Sequence, residues 1–159
     1  FLADEPAPAD IRAIEGALRD TGGDLGAAAG VVISLRAAWD PPLTKFRRPA
    51  DHVLAATRAV GLPAARADLV LGGLFALGQG LWNAPQPDGW SDLRAAWQSP
   101  DSLMRRVDWS YTLVGRAGRV DAAEIAAAAL GPLARAETVT AMRVAGSQRD
   151  AATILFGSP

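Results

Sequence analysis

The sequence predicts an all-α fold, and three observations lead to that prediction. Alanine supplies much of a hydrophobic fraction of 50%, and alanine is the best helix former. β-Branched residues are sparse and rarely alternate with polar residues, as a half-buried strand would require. Apolar residues instead recur at helical spacing between Pro- and Gly-containing breaks. We therefore expect an irregular bundle of about seven or eight helices, forming a single domain over residues 1–159.

The first three helices are predicted at residues 9–19, 25–39 and 49–60. Asp24 precedes the second helix, where a carboxylate can accept hydrogen bonds from the first free backbone N–H groups. Pro49 suits the first position of the third helix, since its missing N–H has no helical partner there.

The fourth helix, predicted at residues 64–81, is the most apolar segment of the chain. Its run from 69 to 78 is hydrophobic on all sides but shorter than the roughly 20 residues of a membrane span. We therefore expect a buried central helix. Its small residues would allow another helix or the following loop to approach closely; they are Gly72, Gly73, Ala76, Gly78 and Gly80.

The remaining helices follow a loop that ends near residue 90. We expect a short helix at 91–98, and Ser99-Pro100 reads as the cap and first turn of a helix to about residue 116. Asp121 then caps a helix that stops at Gly131-Pro132. The last two helices are predicted at 133–145 and 147–156, with Ser147 as the final cap.

Residues 81–90 form the most informative segment, because two Trp, two Pro and an Asp-Gly pair lie between helices. Proline prevents a regular element from crossing this loop. Large aromatic rings are costly to leave in water, so Trp82 and Trp90 either join the core or line a ligand groove. Asp88 is the carboxylate within the loop and joins them as a candidate ligand-binding residue.

Arg47 and Arg48 form a basic pair that can hold a carboxylate through two hydrogen bonds. We predict that one of them pins the Trp-containing loop through a carboxylate. Asp88 and Asp92 flank Gly89-Trp90 and could in principle act as an acid–base pair on a glycoside. Turn and helix-start chemistry explains both carboxylates, and we favour that structural interpretation.

Composition limits the chemistry further. Lys and Arg number 16 against 17 Asp and Glu, which gives no electrostatic case for nucleic acid or an anionic membrane. The absence of Cys excludes disulfides, thiolate catalysis and Cys-ligated zinc. His52 is the single histidine, lies at a predicted helix start, and is expected to be solvent-facing or structural rather than catalytic. We predict no catalytic residue, metal site or cofactor.

Several motifs resemble the C-terminal part of the domain-of-unknown-function 1800 family of large bacterial proteins. The segments that carry the resemblance are Phe46-Arg47-Arg48-Pro49, Leu77-Gly78-Gln79, Leu81-Trp82, Pro85, Pro87-Asp88-Gly89-Trp90, Trp97, Ser99-Pro100 and Leu103-Met104-Arg105-Arg106. The opening residues 1–24 and the tail 149–159 also look like parts of that family, so the resemblance covers essentially the whole chain. It implies a mainly helical protein, often exported to the periplasm or outside the cell, of which this chain is a C-terminal fragment.

Three hypotheses for function follow. The chain is a helical binding or scaffold module of an exported bacterial protein, part of an enzyme acting on an extracellular polymer, or a purely structural half-domain. The resemblance implies two partners, the missing N-terminal half and a sulfatase-like neighbour protein. A polysaccharide is a third candidate, because tryptophan rings can stack on sugars. We expect no nucleic acid and no membrane span.

Overall fold

The computed structural model describes residues 2–41 and 44–158 and confirms the all-α prediction. In those residues the chain forms eight α-helices and no β-strand. The helices are α1 Pro8–Asp20, α2 Leu25–Ser34, α3 Pro49–Ala59, α4 Ala67–Ala76, α5 Pro100–Arg116, α6 Ala122–Ala129, α7 Ala136–Arg143 and α8 Gln148–Gly157. Four single-turn 3-10 helices connect them, at Arg36–Ala38, Ala64–Arg66, Arg94–Ala96 and Gly131–Leu133. No described helix is both long enough and apolar enough to span a bilayer.

Helix starts agree with the predicted caps. The Asp24 side chain accepts a hydrogen bond from the N–H of Gly26, and Ser99 accepts one from Ser102. The Asp121 side chain accepts two hydrogen bonds from backbone N–H groups, and Ser147 accepts one from the N–H of Asp150. Each of these bonds satisfies a donor that the first turn of a helix leaves free.

Helix ends differ from the predictions at α2 and α4. The second helix, expected to reach Trp39, ends at Ser34 because Leu35 adopts an extended ψ of 137°. The fourth, expected to reach Leu81, ends at Ala76 because Gly78 turns left-handed at φ 81°. The N–H of Gln79 then bonds the carbonyl of Leu74 at 2.8 Å, which closes the helix end with the bonding pattern of a Schellman motif.

Two further helices are shorter than predicted. The expected helix at 91–98 is reduced to the 3-10 turn Arg94–Ala96. The one expected at 133–145 begins only at Ala136, because a separate 3-10 turn precedes it.

The chain separates into two compact units, which divide between Phe46 and Arg47. Unit 1 is a hairpin of α1 and α2. The Lys45 ammonium pairs with Asp4 at 2.7 Å, and the Thr44 hydroxyl donates to the carbonyl of Leu2, so the ends of this unit meet. Among its described residues only Ala28 is buried, so the hairpin has almost no core of its own.

Unit 2 contains the main core. Helices α5 and α8 pack most extensively, with α3, α4, α6 and α7 around them. The core residues are Val53, Ala56, Leu74, Leu77, Trp109, Leu113, Val114, Ala122, Ala151, Ala152 and Phe156.

Helix α4 is not the fully buried helix that its composition predicts. Leu69 and Leu74 face the core, while Leu71 and Phe75 are 51% and 77% exposed. The close approach expected of its small residues occurs at Gly73, which lies directly against the indole of Trp109.

Candidate binding loop

The segment between α4 and α5, residues 77–99, is called the Trp loop below. It leaves α4 at Gly78 and reaches Trp82, whose φ is 58° and whose side chain is fully exposed. A positive φ is a genuine outlier for a bulky residue, because the side chain crowds the backbone. The loop therefore holds an aromatic ring in water at a cost in backbone strain.

The predicted site residues separate into two groups. Trp90 is half-buried and packs on Trp97 with ring centroids 5.8 Å apart, and Arg48 pairs with Asp92 at 2.6 Å. Trp82 and Asp88 are exposed, and neither makes a ring contact, hydrogen bond or ion pair within residues 2–41 and 44–158. The structure thus does not bring all five predicted residues into one pocket.

Arg48 is the member of the basic pair that bonds a carboxylate next to residues 81–90. Its guanidinium donates to Asp92 at 2.6 Å and to Asp51 at 3.1 Å. The hydrogen bond with Asp51 is the main cause of the raised pKa of Arg48. Asp92 lies just after Trp90, so the pair fixes the far end of the loop to the start of α3.

Gln79 fixes the near end of the loop, which the sequence did not predict. Its buried side-chain carbonyl accepts a hydrogen bond of 2.7 Å from the N–H of Ala50 in the first turn of α3. The start of α3 therefore holds both ends of the Trp loop. No local pattern identifies such a bond, because the two residues are 29 positions apart.

The hydrogen bond of Arg47 in this region is made by its backbone carbonyl and not by its side chain. The side chain is exposed, and its carbonyl accepts a hydrogen bond of 2.8 Å from the buried Arg106 guanidinium. Burial, and then the charge of Arg47, lowers the pKa of Arg106 to about 10.

His52 is structural and buried. Its ring meets that of Trp109 edge-on at 5.5 Å, and its Nε2 atom has no hydrogen-bond partner among the described residues. Burial, helped by Arg106 and Arg47, lowers the pKa of His52 to about 3. A general base at neutral pH needs a pKa near 7 and access to substrate, so His52 does not serve as one.

Asp88 and Asp92 do not form an enclosed carboxylate pair. Both are exposed, and Asp92 is engaged by Arg48. Acid–base hydrolysis of a glycoside uses a carboxylic acid with a raised pKa that flanks the scissile bond. In the part of the chain that the structure describes, no group of three or more His, Asp or Glu side chains could hold a metal ion.

One turn in the loop has a twin in unit 1, and sequence reasoning overlooked it. The string Leu-Arg-Ala-Ala-Trp occurs at residues 35–39 and again at 93–97. Each copy forms a 3-10 turn, and each Trp indole N–H donates to a carbonyl six residues earlier. A search for short repeats would have found it.

Unit 2 also has a shallow apolar cleft of about 390 Å³ between α5, α7 and α8. Thr138 and Ser158 in its wall bond each other through their hydroxyls at 2.7 Å. The full lining is Val107, Glu137, Thr138, Ala141, Thr153, Ile154, Gly157 and Ser158. No sequence motif pointed to this cleft.

Comparison with known proteins identifies the family to which the chain belongs. No curated protein and no solved structure matches it. A family model described as "Protein of unknown function (DUF1800)" matches residues 1–159, and the chain therefore belongs to that family.

Proposed function

We propose that this chain is a helical binding module whose contact surface is centred on Trp82. The observation that carries the proposal is a fully exposed indole on a left-handed, strained backbone. Strain of this kind persists where the surrounding structure enforces it, and it concentrates at sites of function. The α3 clamp, which consists of the bonds from Ala50 to Gln79 and from Arg48 to Asp92, holds the loop on both sides of Trp82.

The surroundings of Trp82 favour an apolar partner surface. No charged residue occurs between Asp68 and Asp88. Within that stretch Leu71, Phe75 and Leu81 are all more than half exposed. A Cβ atom at Gly80 would lie 3.7 Å from the Phe75 ring, so the end of α4 adjoins the residues that carry Trp82. Groups of exposed apolar residues mark interaction sites, and Trp is among the residues most enriched at interface hot spots.

The partner we favour is a protein surface, first of all the N-terminal half of a longer family protein. The apolar residues near Trp82 in the sequence suit such a partner better than a polysaccharide. The hydroxyl groups of a sugar need polar side chains around the aromatic ring. A sulfatase-like protein remains a further candidate partner. The family resemblance alone supports an exported bacterial protein, in the periplasm or outside the cell.

A titration tests the proposal. The chain and its Trp82→Ala variant would each be titrated with a purified N-terminal half and with soluble dextran, and binding followed by calorimetry. Met104→Ala is the matched control, since Met104 is a 60% exposed apolar residue on α5. We expect Trp82→Ala to weaken binding of the N-terminal half about 30-fold, as loss of a hot spot does, and Met104→Ala to change it less than about twofold.

Equal affinity of the Trp82→Ala variant and the unchanged chain would overturn the proposal. Binding of dextran alone, lost in Trp82→Ala, would replace the protein partner with a polysaccharide. Circular dichroism at 222 nm would verify that each variant keeps its helices.

A further inference from the structure

The two Leu-Arg-Ala-Ala-Trp turns have the same local geometry. The leucine that opens each turn has ψ 137° in one copy and 138° in the other, and the closing tryptophan has φ −126° and −125°. Trp39 Nε1 donates to the carbonyl of Ile33 at 2.7 Å, and Trp97 Nε1 donates to that of Ser91 at 2.8 Å. Backbone and hydrogen bond together hold each indole in a similar position relative to its own turn.

The two indoles nevertheless differ in what covers them. Trp97 is 8% exposed, and the Trp90 ring lies against it at 5.8 Å with an interplanar angle of 52°. Trp39 is 68% exposed, and no aromatic ring packs on it among the described residues. Ile33, which supplies the carbonyl for its indole, is 61% exposed. Among the described residues, the first turn thus resembles the second but lacks a ring that packs on its tryptophan.

From this comparison we infer that Trp39 and Ile33 form a docking surface for an aromatic side chain of a partner protein, bound as Trp97 binds Trp90. Tilted aromatic pairs at this distance are favourable beyond the area they bury. An indole already held by a hydrogen bond loses little further freedom when a second ring packs on it. This surface belongs to unit 1, whereas Trp82 belongs to unit 2.

Charge indicates what should flank the partner's ring. Residues 1–46 carry seven acidic and four basic side chains, whereas residues 47–159 carry ten and twelve. The turn itself is bordered by an exposed Arg36–Asp40 ion pair of 2.6 Å. A partner segment with an aromatic residue between basic residues therefore complements unit 1.

The test uses the tripeptides Lys-Trp-Lys and Glu-Trp-Glu as probes of the whole chain labelled with ¹⁵N. Tryptophan Nε1–H signals appear apart from backbone amides, so each of the five indoles reports separately. We expect Lys-Trp-Lys to shift the Trp39 signal and the Ile33 amide several-fold more than the Trp82 signal. Glu-Trp-Glu should need a higher concentration for the same shift, and Trp39→Ala should abolish the shift at Ile33.

The second turn provides an internal reference. In Trp90→Ala the Trp97 ring loses its cover, so added indole should shift the Trp97 signal there and leave it unchanged in the parent chain. Equal shifts at Trp39 and Trp82, or no shift at Trp39, would overturn the inference. Binding of indole at Trp97 in Trp90→Ala without binding at Trp39 would also overturn it, because the two turns would then not be equivalent. If Trp90→Ala does not fold, the Lys-Trp-Lys titration of the parent chain and of Trp39→Ala decides the inference.

Discussion

Gly73 and Gly72 are adjacent on α4, yet the structure predicts opposite effects when each is replaced by alanine. A Cβ atom at Gly73 would lie 2.5 Å from Nε1 and 2.7 Å from Cε2 of Trp109. A Cβ atom at Gly72 would meet nothing within 4 Å. The two variants therefore add the same methyl group to the same helix and differ only in what the methyl group meets.

The magnitudes follow from two opposing contributions. Alanine in a helix interior is more favourable than glycine by about 1 kcal/mol. Overpacking a filled core costs about 1–3 kcal/mol, and the Trp109 ring, only 8% exposed and in contact with His52, has little room to move. We expect Gly72→Ala to raise the free energy of unfolding by about 1 kcal/mol and Gly73→Ala to lower it by about 2 kcal/mol.

Urea denaturation followed by circular dichroism at 222 nm and by tryptophan fluorescence measures this difference. A gap of about 3 kcal/mol between the variants also corresponds to roughly 10 °C in melting temperature for a unit of this size. If Gly73→Ala proves as stable as Gly72→Ala, the Trp109 ring does not lie against α4 and the packing described for unit 2 is wrong.

Three further predictions concern the buried His52, the Arg48–Asp92 ion pair and the backbone of Trp82. The pKa of His52 is about 3 in the folded chain and near 6.5 in the unfolded chain, so the unfolded state binds the proton more tightly. The free energy of unfolding should therefore fall by about 2 kcal/mol from pH 7.5 to pH 5. Urea midpoints at the two pH values check this, and a His52→Phe variant with the same pH dependence would contradict it. A double-mutant cycle with Arg48→Gln and Asp92→Asn should give a coupling energy of about 0.5 kcal/mol at low salt, as exposed ion pairs do. This coupling energy should shrink in high salt. No coupling at low salt would mean that the pair does not hold the loop. Trp82→Gly should be more stable in urea than Trp82→Ala by about 1 kcal/mol, since glycine adopts φ 58° without the strain that a Cβ atom causes. The reverse order would show that residue 82 is not left-handed.

Sequence reasoning located helix starts better than helix ends, for a physical reason. A start is marked by a side chain that itself makes the capping bond, as Asp121 does with two backbone N–H groups. The end of α4 depends instead on Gly78 adopting a left-handed conformation, and several glycines in that stretch could have done so. The end of α2 depends on an extended Leu35, which no local preference favours.

The candidate site shows the same division. The role of Arg48 was predictable because an arginine pair and nearby carboxylates limit the possible partners, and its bond to Asp92 lies within that set. The hydrogen bond from Ala50 to Gln79 was not predictable, since any exposed donor could have satisfied an amide side chain. Whether residues 1–159 form a single domain stays a prediction.

The five tryptophans show most clearly what composition leaves undecided. Trp97 and Trp109 are buried, Trp90 is half-buried, and Trp39 and Trp82 are exposed. Burial of Trp97 and exposure of Trp39 arise from the same five-residue string, so local sequence does not determine either outcome. For Trp82 the exposure goes with its backbone conformation, since the residue is left-handed and lies between exposed neighbours. Stability alone would favour glycine or asparagine at that φ. A bulky aromatic residue that costs stability and gains no burial among the described residues supports the proposal that a partner covers Trp82.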